Sequence, residues 1–121
     1  MARVMIADDS EPVRLTLRDM VEVGKHKVVA EAVDGIDTLE KFDSIKPDVL
    51  FLDIAMPKKD GIETLIELMK SNPKPKVIMI TAYDEMELIE NCTKAGALAY
   101  ITKPFNTDDI LNAISFAFEE K

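Results

Sequence analysis

Four short apolar runs in this 121-residue chain end on residues that can do chemistry. Val4-Met5-Ile6-Ala7 runs into Asp8-Asp9, and Val49-Leu50-Phe51-Leu52 into Asp53. Val77-Ile78-Met79-Ile80 is followed by Thr81, and Leu98-Ala99-Tyr100-Ile101 leads to Lys103-Pro104. If the runs are strands and the first and third are neighbours, three carboxylates converge. Like charges a few ångströms apart oppose joint ionisation. A hard divalent cation relieves that conflict, and a few carboxylates supplemented by water is the coordination pattern of Mg2+. A hydroxyl and a lysine at the same edge add a hydrogen-bond donor and a point charge suited to a phosphoryl oxygen. Taken singly, each residue has an ordinary structural reading. Asp9 or Ser10 is a good N-cap for a helix with Pro12 in its first turn, and Asp53 can be a loop acid. The grouping carries more weight than any member.

Such a grouping requires a scaffold that brings strand ends together. A further short run, Val28-Val29-Ala30, makes five, and most are apolar on consecutive residues, as strands covered on both faces are. Between them, apolar residues recur at helical spacing: Val13, Leu17, Met20 and Val21; Ile36, Leu39, Phe42 and Ile45; Ile62, Leu65, Ile66 and Met69. A fourth helix is expected around Leu88, Cys92 and Ala95, with Asp84 as N-cap and Glu87 three residues on. A fifth carries Ile110, Leu111, Ile114, Ala117 and Phe118 and closes over Glu119-Glu120-Lys121. Gly24 and Gly96 fall where helices should end, and Pro47 and Asn72-Pro73-Lys74-Pro75 block helix continuation. Strict alternation with short connections implies right-handed βαβ units and a parallel sheet with helices on both faces. Five strands and five helices match the flavodoxin-like, doubly wound α/β fold, whose commonest strand order at this count is 2-1-3-4-5. Sites in such sheets form beyond the carboxyl ends of the strands, where the four chemical groupings lie.

Composition narrows the partners. The chain fits one domain, residues 1–121, and is 47% hydrophobic, enough for a core without disulfides or a structural metal. A net charge of −8 repels phosphate backbones and anionic lipids, arguing against nucleic acid or membrane as a partner. One cysteine, Cys92, excludes an internal disulfide framework and suits a reducing cytoplasm. One histidine, His26, makes a Ser-His-Asp triad or a multi-histidine metal site a poor reading. No segment reaches the length of a membrane span, and the four-residue apolar run after Met1-Ala2-Arg3 is too short for a signal peptide.

Ile6-Ala7-Asp8-Asp9-Ser10, Asp53-Ile54-Ala55-Met56-Pro57 with Asp60-Gly61, Ile80-Thr81-Ala82, and Tyr100-Ile101-Thr102-Lys103-Pro104-Phe105 occur in order across the chain. As an ordered set they resemble the receiver domains of two-component response regulators, and are similar to the stand-alone, CheY-like members. The resemblance implies that Asp53 accepts a phosphoryl group. It implies that Asp9 and Asp53 hold Mg2+ directly with the Ala55 carbonyl, while Asp8 orients metal-bound water. Thr81 and Lys103 would each contact a phosphoryl oxygen, the Lys103-Pro104 peptide would be cis, and Tyr100 would be the switch aromatic that turns inward when Thr81 moves. Without the resemblance, Tyr100 reads as a half-buried strand tyrosine.

The implied partners are a histidine kinase and an output protein, whether a flagellar motor switch, an adaptor or a phosphotransfer protein. Chemotaxis is the leading assignment; a phosphorelay intermediate or the receiver of a larger regulator is the alternative. The protein would be a cytoplasmic monomer, weakly dimeric at most when phosphorylated, and would turn over no external substrate. A haloacid-dehalogenase-type phosphohydrolase would need a second acid where Ala55 stands. A flavodoxin would need a Ser/Thr/Gly-rich phosphate loop where Asp8-Asp9-Ser10-Glu11 stands. Ala55 offers no side chain to guide water and Tyr83 is bulky, so slow autodephosphorylation is expected.

Other residues read as structural. Cys92 lies on an apolar stripe, the seven methionines are core fillers, and His26, between Lys25 and Lys27, is expected to be a solvated loop side chain. Phe116 falls about half a turn from the Ile110/Ile114 line and should be partly exposed. Met86 and Ile89 are expected to extend an interaction patch around it.

Overall fold

The computed structural model describes residues 1–71, 73–82 and 86–119, without the side chains of Ala82 and Met86. The expectations for Asn72, Tyr83, Asp84, the Met86 side chain and Glu120-Lys121 fall outside the described residues. Strands and helices alternate throughout: β1 (Arg3–Ala7), α1 (Glu11–Val23), β2 (Lys27–Ala32), α2 (Gly35–Ile45), β3 (Val49–Asp53), α3 (Gly61–Leu68), β4 (Val77–Ala82), α4 (Met86–Ala95), β5 (Ala99–Lys103) and α5 (Thr107–Glu119). All pairings are parallel and the strand order is β2-β1-β3-β4-β5. This is the flavodoxin-like architecture that the alternation predicts.

Period-two alternation divides the core into two layers. Val4, Ile6, Phe51, Ile78, Ile80 and Ile101 point to the face covered by Leu17 and Val21 of α1 and Ile110, Ile114 and Ala117 of α5. Met5, Leu50, Leu52, Val77 and Met79 point to the other face, beneath Leu65 and Leu68 of α3 and Cys92 of α4. Each such fully buried aliphatic side chain contributes about 1.5–3 kcal/mol through loss of contact with water. Every residue of β3, the central strand, is buried. At the sheet's edge, Val28, Val29 and Ala30 of β2 are only half-buried, because a neighbour covers the strand on one side alone.

The caps are local. Ser10 Oγ accepts from Val13 N at α1, Asp34 Oδ1 from Asp37 N (2.7 Å) at α2, and Asp60 Oδ1 from Glu63 N (2.9 Å) at α3. Gly96 ends α4 with φ +108°, a left-handed backbone that an L side chain adopts only under strain. At the amino-terminal rim of the sheet, Arg3 Nη1 and Nη2 donate to the carbonyls of Lys46 (2.8 Å) and Ile45 (2.9 Å), while Arg3 N donates to Asp48 Oδ2 (2.8 Å).

Three side-chain expectations are corrected. His26 is half-buried and its Nδ1 accepts from Ala2 N at 2.9 Å, so it ties the start of β1 to the α1–β2 turn. Ile89 is buried, because it follows Cys92 round to the inner side of α4. Phe118 is exposed, since Ala117 takes the core position and Phe118 swings over a groove of about 630 Å3 at the amino-terminal rim. Phe116 is exposed as expected and Cys92 is buried as expected. Among the described residues no helix is long and apolar enough to cross a membrane.

Candidate functional site

The sheet brings the sequence-predicted residues to one edge. Ala7 pairs with Leu52, Asp53 with Ile80, Thr81 with Thr102 and Ala82 with Lys103, so Asp8, Asp53, Thr81 and Lys103 end four adjacent strands in register. Asp8, Asp53 and Thr81 are buried, whereas Asp9 is exposed. Asp8, Asp9 and Asp53 each offer a carboxylate oxygen, and these oxygens lie within 4.8 Å of one another. Lys103 Nζ stands 3.5 Å from Asp53 Oδ1 and 3.7 Å from Asp8 Oδ2, one ammonium shared by two carboxylates. The Lys103-Pro104 peptide is cis.

Burial governs the electrostatics. Asp53 is pushed up from 3.8 to about 6, first by loss of water and then by the charge of Asp8; Lys103 and the Ala55 N–H oppose the shift. Asp8 is raised as well, again chiefly by burial, against a hydrogen bond from Ser10 N (2.9 Å) to its Oδ1 and the charge of Lys103. Asp8 Oδ2 is buried without a hydrogen-bond partner, alone in this among the described residues. An oxygen in that position gains from a cation. The all-oxygen donor set suits Mg2+ or another hard divalent ion, so the residues present fit a metal.

Two supporting contacts were not foreseen. Arg14 Nη1 donates to the Asp8 carbonyl (2.8 Å) and its Nε to Glu31 Oε1 (3.1 Å), while Arg18 also donates to Glu31. Arg14 thus fastens the strand end that carries the acidic pair to β2. In the sequence Arg14 looks like any polar position on an amphipathic helix, because its partners lie on other elements. The second contact, Lys58 Nζ to Asp34 Oδ2 at 3.5 Å, joins the loop after β3 to the cap of α2. Tyr100 is 47% exposed and points outward; it neighbours Phe116 along a groove that also holds Thr102 and Asp109.

The fold and site together define a doubly wound parallel α/β domain that gathers buried acids, a hydroxyl and a lysine at the carboxyl edge of its sheet. Residues 4–115 match the response regulator receiver domain, and the chain belongs to that family. It is 38% identical to the chemotaxis protein CheY of Listeria monocytogenes over 97% of this chain and 98% of that one. It is 36% identical to the transcriptional regulatory protein PdtaR of Mycobacterium tuberculosis, over 95% of this chain and 56% of the longer relative. Among solved structures it resembles the CheX-CheY-BeF3-Mg complex from Borrelia burgdorferi, with 30% identity, a TM-score of 0.91, and coverage of 96% and 88% of the two chains. The chain is therefore a receiver domain of two-component signalling.

Proposed function

We propose that this receiver, acting as one domain over residues 1–121, is a phosphorylation-activated switch that takes a phosphoryl group from a histidine kinase onto Asp53. The observation that supports this most directly is the buried Asp53 carboxylate with Lys103 at 3.5 Å and two further acids within metal-sharing distance. Phosphoryl transfer needs positioning and charge neutralisation more than covalent assistance. Mg2+, when bound, would supply Lewis-acid neutralisation of the phosphoryl oxygens, held by Asp9, Asp53 and the Ala55 carbonyl with Asp8 orienting its water. An Asp53 carboxylate oxygen forms the new P–O bond as the P–N bond to the kinase's histidine breaks and its imidazole leaves, and Lys103 pairs with a phosphoryl oxygen. Thr81, buried at the end of β4, donates its hydroxyl to another. No external substrate is turned over.

Tyr100 is the switch aromatic in this reading. Its outward position is one of two, and phosphorylation biases the equilibrium toward the other, altering the surface it shares with Phe116. Likeness to CheY over nearly the whole chain favours a chemotaxis output, a flagellar motor switch or an adaptor, as the partner of a cytoplasmic monomer that dimerises weakly at most when phosphorylated. The PdtaR likeness, covering 56% of a longer protein, favours a second reading as a phosphorelay intermediate or as the receiver of a larger regulator.

Intact mass after incubation with Mg2+ and a small acyl-phosphate donor tests the chemistry. One phosphoryl addition is expected, absent in Asp53→Asn and absent without Mg2+. Addition that persists in Asp53→Asn overturns the assignment.

A further inference from the structure

The loop of residues 54–60 leaves Asp53 and returns at Gly61, and it carries Ala55, whose main chain borders the acidic cluster. On its inner side, Gly61 N donates to the Ile54 carbonyl at 2.8 Å. The Gly61 backbone lies so close that a Cβ there would be 2.2 Å from the Asp53 main-chain carbonyl oxygen and 2.6 Å from Ile54 Cα. On its outer side the loop meets the start of α2. A Cβ on Gly35 would stand 2.2 Å from the Lys59 carbonyl oxygen and 2.3 Å from Thr64 Oγ1. Lys58 crosses the same seam to reach the buried Asp34 carboxylate at 3.5 Å. Between these anchors the backbone is costly. Lys58 has φ +66°, and Lys59 N donates to the Pro57 carbonyl at 2.7 Å across it. A non-glycine residue in that region is strained and persists where its surroundings impose it.

We propose that Asp34, Gly35 and Lys58 are positioning residues for the metal site: the start of α2 clamps loop 54–60 and so sets where the Ala55 main chain stands beside Asp53. The inference rests on the reading of Asp53 as a Mg2+-dependent phosphoacceptor. It makes α2, which contributes no group to the acidic cluster, a determinant of Mg2+ affinity.

Lys58→Asn is the discriminating variant, because asparagine tolerates the left-handed backbone while the tether is removed. Loss of a cation with no effect on loop position predicts Mg2+ binding unchanged or tightened; the clamp predicts weaker binding. Calorimetric titration should show Mg2+ affinity reduced about three- to fivefold, the scale of a single partly exposed ion pair. In the metal-free protein, hydrogen exchange at the Gly61 amide should quicken severalfold, since that bond closes the loop. Both changes are required. Affinity unchanged or tightened, or Gly61 exchange unchanged, in a Lys58→Asn protein whose parent binds Mg2+ overturns the clamp alone. A parent that binds no Mg2+ overturns the functional reading and the clamp with it.

Discussion

Replacing Asp53 by asparagine should stabilise the metal-free protein at neutral pH. Asp53 is 4% exposed, and its midpoint moves from 3.8 in the open chain to about 6 in the fold. The folded state therefore holds this proton more tightly than the unfolded state does. The charged carboxylate opposes folding above pH 6, and the penalty is relieved as pH falls from about 6 toward 3.8. The full displacement corresponds to about 3 kcal/mol. That figure is already net of the attraction of Lys103, so a gain of about 2–3 kcal/mol is expected at pH 7.5, or roughly 6–18 °C in Tm for a domain of this size. Urea unfolding followed by circular dichroism in the presence of a chelator, at pH 7.5, 6.5 and 5.5, measures it. The advantage of Asp53→Asn should hold nearly level from pH 7.5 to 6.5 and then fall by about 0.7 kcal/mol by pH 5.5. His26, whose midpoint is lowered by burial and by the nearby N-terminal amine, costs the fold stability on the acid side, but equally in both proteins. Glu31 and Asp34 are held below 4.5 and 3.8, so they enter only beneath the window. Added Mg2+ should stabilise the parent by mass action and narrow or reverse the difference. A variant no more stable at pH 7.5, or an advantage that does not decline toward pH 5.5, refutes the electrostatic argument.

Lys103→Met removes the cation 3.5 Å from Asp53 and 3.7 Å from Asp8. Carboxyl NMR titration should place the Asp53 midpoint above about 6, and a midpoint at or below that value counts against the shared-ammonium arrangement. Arg14→Ala removes the charge-assisted bonds to the Asp8 carbonyl and Glu31 and should cost about 2 kcal/mol in urea unfolding. It should also speed hydrogen exchange of Asp8 N, which donates to the Ala32 carbonyl; a loss below about 0.5 kcal/mol would show that Arg18 alone holds this corner.

The carboxyl edge was legible because strand ends are local features. An apolar run followed at once by Asp8-Asp9, Asp53 or Thr81 places those residues by the period of the strand, and the parallel sheet then does the gathering. The strand order came from counting elements, and pairing of Val4 with both Val28 and Val49 realises it. What was illegible depends on contacts between elements. His26 accepting from Ala2, Arg14 reaching back to Asp8, and Lys58 crossing to Asp34 join residues 24, 6 and 24 positions apart, and no spacing rule anticipates them. Ile89 and Phe118 were misplaced because helical phase alone does not say how far a helix overhangs its sheet.

The two rims of the sheet divide the protein's labour. Around Arg3, Lys46 and Asp48 the amino-terminal rim is stitched by bonds to main-chain atoms, and the acidic cluster lies at the opposite end. Sequence drift at the stitched rim should register in how much protein a cell accumulates. Drift at the acidic rim should register in what each molecule relays. In a survey of random variants scored separately for abundance and for signal, those that lose signal at undiminished abundance should gather at the acidic rim, while changes at the stitched rim lower both together.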